Sequence, residues 1–446
     1  MTVIDVAAAV RSGRTNARTT VETALRRLEA ANPAINVASR ILAARARGEA
    51  ASIDARIATG DDPGPLAGVP FGVKDLFDVA GLPTTAGARR FCDAAPAAMD
   101  AAAISCLTDA GAVLVATLNM DEFAYGFVTD NAHWGITRNP HDHARFAGGS
   151  SGGSAAVVAA GILPLALGSD TNGSVRIPAA LCGVYGTKPT HGGLPMRGVF
   201  PFVPTLDDIG IFASTAADLD LIDSILRGRG GARSSTAVPG RVALLGGWFQ
   251  RDLAPEMQAA LSALSAALGG LPVVDLPDVA RARSAAFLLT AYEGGKLHQE
   301  ALRRDALGYD PATRDRLIAG AALPESVHAE ALTFRQTFAG HVDAVFAQYD
   351  VLIAPTSFGY APKIDDPTVM IAGKPQPARA NLGLYTQPIS FVGLPVVAAP
   401  LAGGVLPLGI QLIAAPGGDA QLLAFAAELE GRGLVKSRIA QAWGPS

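Results

Sequence analysis

The sequence predicts a single large α/β domain, a mixed β-sheet wrapped in helices. Three observations carry this expectation. Short apolar runs at 112–116, 163–167 and 351–355 have the length of buried strands, and they alternate with longer stretches of helical periodicity. Hydrophobic residues make up 49% of the chain and charged residues only 17%, the balance of a large core under a modest surface. No linker, charge block or internal repeat divides the 446 residues, so one unit over 1–446 replaces the about three domains that length alone suggests.

In chain order, residues 3–58 read as helices. Over 20–28, apolar side chains recur at helical spacing with charges on the opposite face, which makes 1–60 an N-terminal helical segment packed on the domain. Glycine, proline and β-branched residues mix over 66–79, the texture of a strand and its turn. A helix follows over 100–109, then the strand at 112–116. A second helix opens at 154–160 with Ser154 in position to cap it. The strand at 163–167 runs straight into the segment 168–176. A strand at 241–245, a helix at 255–268 and a strand at 273–276 begin an inserted α/β layer of roughly 240–345, which also holds helices at 284–304 and 330–348. Strands at 351–355, 396–399 and 409–413 and a helix at 420–430 complete the domain.

Bulk properties exclude several classes. A formal net charge of -4 with interspersed acids and bases leaves no electrostatic footprint for nucleic acid or an anionic membrane. The longest apolar stretch, 155–168, is interrupted by Gly161 and Pro164 and is too short to span a bilayer. Residues 1–5 lack a basic and apolar leader, and the three cysteines are odd in number without C-x-x-C spacing. A reduced, cytoplasmic protein is the expectation.

Chemistry concentrates in three Gly-rich stretches: Gly68-Val-Pro-Phe-Gly-Val-Lys74-Asp, Gly148-Gly-Ser150-Ser-Gly-Gly-Ser154 and Gly168-Ser-Asp-Thr-Asn-Gly-Ser174-Val-Arg176. An amide carbonyl is weakly electrophilic and its nitrogen leaves only when protonated. Hydrolysis therefore needs a nucleophile, a proton shuttle and oxyanion donors. Ser174 follows a strand and flexible Gly173 and precedes 175–179, which would open a helix; the bend presents its hydroxyl as a nucleophile. Backbone N–H groups of Thr171, Asn172, Gly173 and Ser174 would then face a developing oxyanion. Lys74 has apolar neighbours in Phe71 and Val73, and burial lowers a lysine pKa by ~3–5 units from about 10.4. Asp75 opposes that shift if it points inward.

Alone, Lys74 reads as a solvated lysine and a Gly/Ser-rich stretch as a loop. Together, in this order and with 24 residues between Ser150 and Ser174, the three stretches resemble the amidase signature family over nearly the whole chain. The resemblance implies an amidase-signature-like sheet and cleavage of amide C–N bonds without cofactor or metal. It also implies a triad: Ser174 as nucleophile, Ser150 after a cis peptide bond as proton relay, and neutral Lys74 as base. The turn 171–174 becomes the oxyanion hole. Most members read Asp-Thr-Gly-Gly-Ser where this chain has Asn172 in place of the first glycine. Asparagine is the non-glycine residue most tolerant of left-handed backbone, so the turn should survive, and its side chain can reach the substrate.

Rival motifs fail on context. Gly148-Gly-Ser150-Ser-Gly152 fits the G-x-S-x-G elbow, yet the segment before it, 139–145, is polar and turn-like rather than a strand. His141 and His143 lack a third metal ligand at any recognised spacing. Cys182 sits among apolar neighbours and reads as core. Asp170 and Arg176 read as a buried structural ion pair.

Stretches at 117–126, 170–174, 309–317 and 386–390 resemble the branch of the family that hydrolyses 1-carboxybiuret, releasing ammonia from a small ureido compound. That likeness implies a small amide substrate, an oligomeric assembly and a small helical partner subunit. Tyr125, Asn172, Thr386 and Gln387 are the polar candidates for the substrate pocket. Arg303, Arg304, Arg314 and Arg316 read as solvated helix-face charges that could otherwise meet a carboxylate. Two alternatives stay open: the glutaminase (A) subunit of the glutamyl/aspartyl-tRNA amidotransferase, which usually has glycine where Asn172 stands, and an inactive scaffold that keeps the fold.

Overall fold

A computed structural model describes residues 2–231 and 238–440; the ends of the 1–446 unit, residue 1 and 441–446, lie outside the described residues. Eleven strands form one mixed sheet. In chain order they are β1 (Ala38–Ile41), β2 (Pro70–Lys74), β3 (Val113–Leu118), β4 (Leu165–Asp170), β5 (Tyr185–Lys188), β6 (Asp208–Ala213), β7 (Val242–Leu245), β8 (Val273–Val274), β9 (Val351–Pro355), β10 (Val396–Pro400) and β11 (Gly409–Ile413). Their spatial order is β1-β3-β2-β4-β6-β5-β10-β11-β9-β7-β8. The pairs β3–β2, β2–β4, β9–β7 and β7–β8 are parallel, and the rest are antiparallel. Every residue of β2, β3, β4, β6 and β9 is buried, because helices cover both faces of the sheet centre.

The N-terminal stretch is not wholly helical. Helices Val3–Arg11, Ala17–Ile35 and Ala43–Thr59 are interrupted by β1. Asn36 ends the second helix in the left-handed conformation and turns the chain into that strand, a four-residue element too short to break the helical periodicity around it. Val21, Leu25, Leu28 and Ile35 pack with Val113 and Val115 of β3 and with 155–159 of the next helix. Residues 240–346 contribute β7 and the edge strand β8 to the same sheet, and four helices besides, Pro255–Ala267, Val279–Arg304, Pro311–Ala321 and Glu325–Phe346. Short strands β5 and β6, helix Ala216–Leu226 and helix Pro311–Ala321 were not anticipated.

The parallel neighbours β2 and β4 matter most for function. They pair in register, Val73 opposite Leu167, so Lys74 and the segment after Asp170 emerge side by side at one edge of the sheet. Ligand sites of α/β sheets gather at that carboxyl edge. Among the described residues no helix is long and apolar enough to cross a membrane.

Candidate active site

Lys74 is the last residue of β2 and is fully buried. Its Nζ lies 2.7 Å from Ser150 Oγ and 2.8 Å from Ser169 Oγ. Burial pushes its pKa down to about 7, against the pull of Asp121, Asp207 and Asp170. Asp75 does not counter this. Strand geometry sends the next side chain to the opposite face, where the Asp75 carboxylate accepts a hydrogen bond from Thr85 Oγ1.

The peptide bond Gly149–Ser150 is cis. A side chain at Gly149 would collide with Asp121 and with the backbone N atoms of Val128 and Thr129, so only glycine fits there. Besides the Lys74–Ser150 contact, the serine loop is stitched twice to the third stretch. Ser151 N donates to the Ser174 carbonyl at 3.2 Å, and Ser151 Oγ to the Ser169 carbonyl at 3.1 Å. The following helix, Gly152–Ala159, starts earlier than expected. Ser154 therefore lies inside it and does not cap it; its hydroxyl donates to the Leu167 carbonyl at 2.9 Å.

Residues 171–175 turn from β4 into helix Arg176–Cys182 around the buried Asp170 carboxylate. That carboxylate accepts from Gly173 N (2.7 Å), Val175 N (3.1 Å) and Arg176 N (3.3 Å), and it pairs with the Arg176 guanidinium at 2.9 Å. Burial works to raise the Asp170 pKa, but Arg176 beside it holds the carboxyl below its ordinary range. Arg176 also donates to Gln411 Oε1 at 2.7 Å and to the Thr386 carbonyl at 3.2 Å. Removing it strands a buried carboxylate. Arg176→Ala is expected to destabilise the fold by about 3–5 kcal/mol in urea titrations. One expectation is corrected here: the Gly173 N–H is engaged by Asp170, which leaves Thr171, Asn172 and Ser174 as the turn's candidate oxyanion donors. Gly173 itself has φ +127 and backs onto Thr386, where a Cβ would not fit.

A narrow cavity opens over this turn. Ser174, Thr171, Asn172, Tyr125 and Gln387 line it, with Phe127, Phe202 and Phe287 as apolar walls. Thr386 does not reach it. Its Oγ1 donates to the Asn172 carbonyl at 2.5 Å and supports the turn from behind. Two further residues line it: Thr290, which was missed, and Arg316, which was read as a solvated charge that could otherwise meet a carboxylate. Arg316 is no solvated helix-face charge. It shares a helix face with buried Thr313, Leu317 and Gly320, and its guanidinium lies 3.7 Å over the Tyr125 ring. The spacing 313, 316, 317, 320 was the available signal. Ser169, inside the third Gly-rich stretch, was also missed as the second partner of Lys74.

Other residues singled out in the sequence lie elsewhere. His141 Nε2 is 2.9 Å from the Cys182 carbonyl. Burial pushes the Cys182 thiol far up, and its sulfur donates to the Ala147 carbonyl. Among the described residues no cluster of His, Cys, Asp and Glu could hold a metal ion.

A buried lysine joined to a serine, beside a glycine-bordered serine turn at a cavity wall, is chemistry that suits a hydrolase of amide C–N bonds. The Amidase family model matches residues 19–423, and the chain belongs to that family. It is 43% identical to AtzE of Pseudomonas sp. (strain ADP), a 1-carboxybiuret hydrolase component, across 98% of this chain and 99% of that one. It is 36% identical to the A component of the glutamyl-tRNA(Gln) amidotransferase of Deinococcus radiodurans, across 99% of both. A solved structure described as a vestigial protein complex that reveals the origins of an s-triazine catabolic enzyme superposes with a TM-score of 0.94. It has 43% identity and covers 98% of this chain and 100% of its own.

Proposed function

We propose that the protein releases ammonia from a small carboxylated ureido compound of the 1-carboxybiuret kind. In this reading Ser174 Oγ attacks the terminal carbonyl and passes its proton through Ser150 to the neutral Lys74 amine. N–H groups of Thr171, Asn172 and Ser174 hold the oxyanion. As the C–N bond breaks, the relay hands that proton to the nitrogen, which leaves as ammonia. Water, deprotonated along the same path, then cleaves the acyl-serine ester.

The observation that carries the substrate class is Arg316. It lines the cavity over Ser174, and among the described residues no carboxylate pairs with it. A half-buried guanidinium without an acid partner fits a ligand that brings its own carboxylate. The hydrolysis of malonamate (an anion) against malonamide (its neutral diamide) tests this by ammonia release. Arg316→Gln should lower the malonamate-over-malonamide ratio of kcat/KM by about 10–100-fold, the weight of a charge-assisted hydrogen bond. An unchanged ratio would refute the carboxylate reading. Faster ammonia release from free glutamine than from either compound would move the assignment to the amidotransferase branch. We further propose a small helical partner subunit, supported by the likeness to a protein named as one subunit of a hydrolase.

A further inference from the structure

We propose that Asn172 reads an N–H group of the substrate, so that the site selects ureido compounds over their methylene isosteres. The inference rests on the small-amide reading above and names the group that recognises the ureido bridge. Asn172 is buried, lines the cavity and stands two residues before Ser174. Its backbone is pinned by Thr386 Oγ1 on its carbonyl. Its side-chain Nδ2 donates to Thr290 Oγ1 at 2.6 Å.

Thr290 decides which end of the carboxamide faces the ligand. It sits on the long helix Val279–Arg304, and its hydroxyl donates one turn back to the Ala286 carbonyl at 2.8 Å. With that proton committed, Thr290 Oγ1 can only accept, so the asparagine must present its NH₂ there. The carboxamide oxygen is therefore the free end, and Oδ1 is buried without a hydrogen-bond donor among the described residues.

A buried amide oxygen left without a donor costs about 1–3 kcal/mol. A ligand N–H removes that cost and a CH₂ group cannot. Sites built to hydrogen-bond a polar group reject its apolar isostere far more strongly than apolar pockets reject an added methylene. Glycine at this position would offer no acceptor.

Biuret and malonamide are both neutral diamides of nearly equal size, joined by N–H in one and CH₂ in the other. Thr290→Val keeps Asn172 and its backbone N–H but frees the carboxamide to turn, and Asn172→Gly removes the acceptor. Both variants should lower the biuret-over-malonamide ratio of kcat/KM by about 10–100-fold. A loss that falls equally on both substrates, leaving the ratio unchanged, overturns the proposal while the amidase reading stands. Calorimetric binding of both diamides to Ser174→Ala protein gives a measure independent of turnover. Biuret should bind more tightly, by a factor that Thr290→Val removes. Equal affinities, or no binding of either, overturn the proposal. Preferential biuret binding by a protein that hydrolyses neither compound sustains it and counts against the proposed reaction instead.

Discussion

Ser174→Ala protein is expected to melt with the wild type and to lose turnover almost completely. Ser174 is small and forms part of a turn held by Asp170, Arg176 and Thr386 through backbone groups, so losing one hydroxyl leaves the turn in place. Removing the nucleophile of a serine hydrolase costs on the order of 10⁶ in kcat, because the remaining groups have nothing to activate. Ammonia release per active site and a thermal melt check both halves of the expectation. Folded Ser174→Ala protein with more than a few per cent of wild-type kcat would require another nucleophile. The scaffold alternative makes the opposite prediction, that the wild type itself is neither active nor labelled by a fluorophosphonate.

Lys74→Met should lower kcat by three orders of magnitude or more, since a general base contributes about 10²–10⁴-fold and here the relay ends at the lost amine. The substitution also has a signature in stability. Burial drives the Lys74 pKa down to about 7, whereas an unfolded lysine keeps its proton to about 10.4. Between those values the unfolded chain binds the extra proton, so wild-type stability gains up to about 1.4 kcal/mol per pH unit from this group as pH rises. Below about pH 7 both states are protonated and the full penalty persists. Lys74→Met lacks the term altogether. Denaturation across pH 7–10 should therefore show the difference between variant and wild type changing steadily in the wild type's favour as pH rises. A constant difference would mean that Lys74 keeps its charge in the folded protein.

The sequence exposed what glycine must do and concealed what burial decides. Gly149 and Gly173 stand where a Cβ would strike Asp121 and Thr386, so the Gly-rich stretches marked the places where chain segments press together. The strands β3, β4 and β9 are short apolar runs, and their length made them visible. Strand β1 was hidden because four residues between two helices leave no period to read. Arg316 and Thr290 were hidden for a different reason. A charged or hydroxyl residue on an amphipathic helix has the same sequence signature facing solvent or facing a cavity, and only the packing of helices 279–304 and 311–321 over the turn turns them inward. Thr386 erred in the other direction: a polar residue beside Gln387 seemed a ligand, but its hydroxyl holds the Asn172 carbonyl.

The account depends on an uncharged Lys74 that reaches Ser174 through Ser150. The pH dependence of fluorophosphonate labelling at Ser174, read by peptide mass analysis in wild type and in Lys74→Met and Ser150→Ala proteins, tests that chain most directly. Wild-type labelling should accelerate as pH rises through about 7 and then level off, with Lys74 held down to about 7. Both variants should label slowly and without that inflection. Labelling at another residue, or a wild-type rate that matches the variants at every pH, would contradict it.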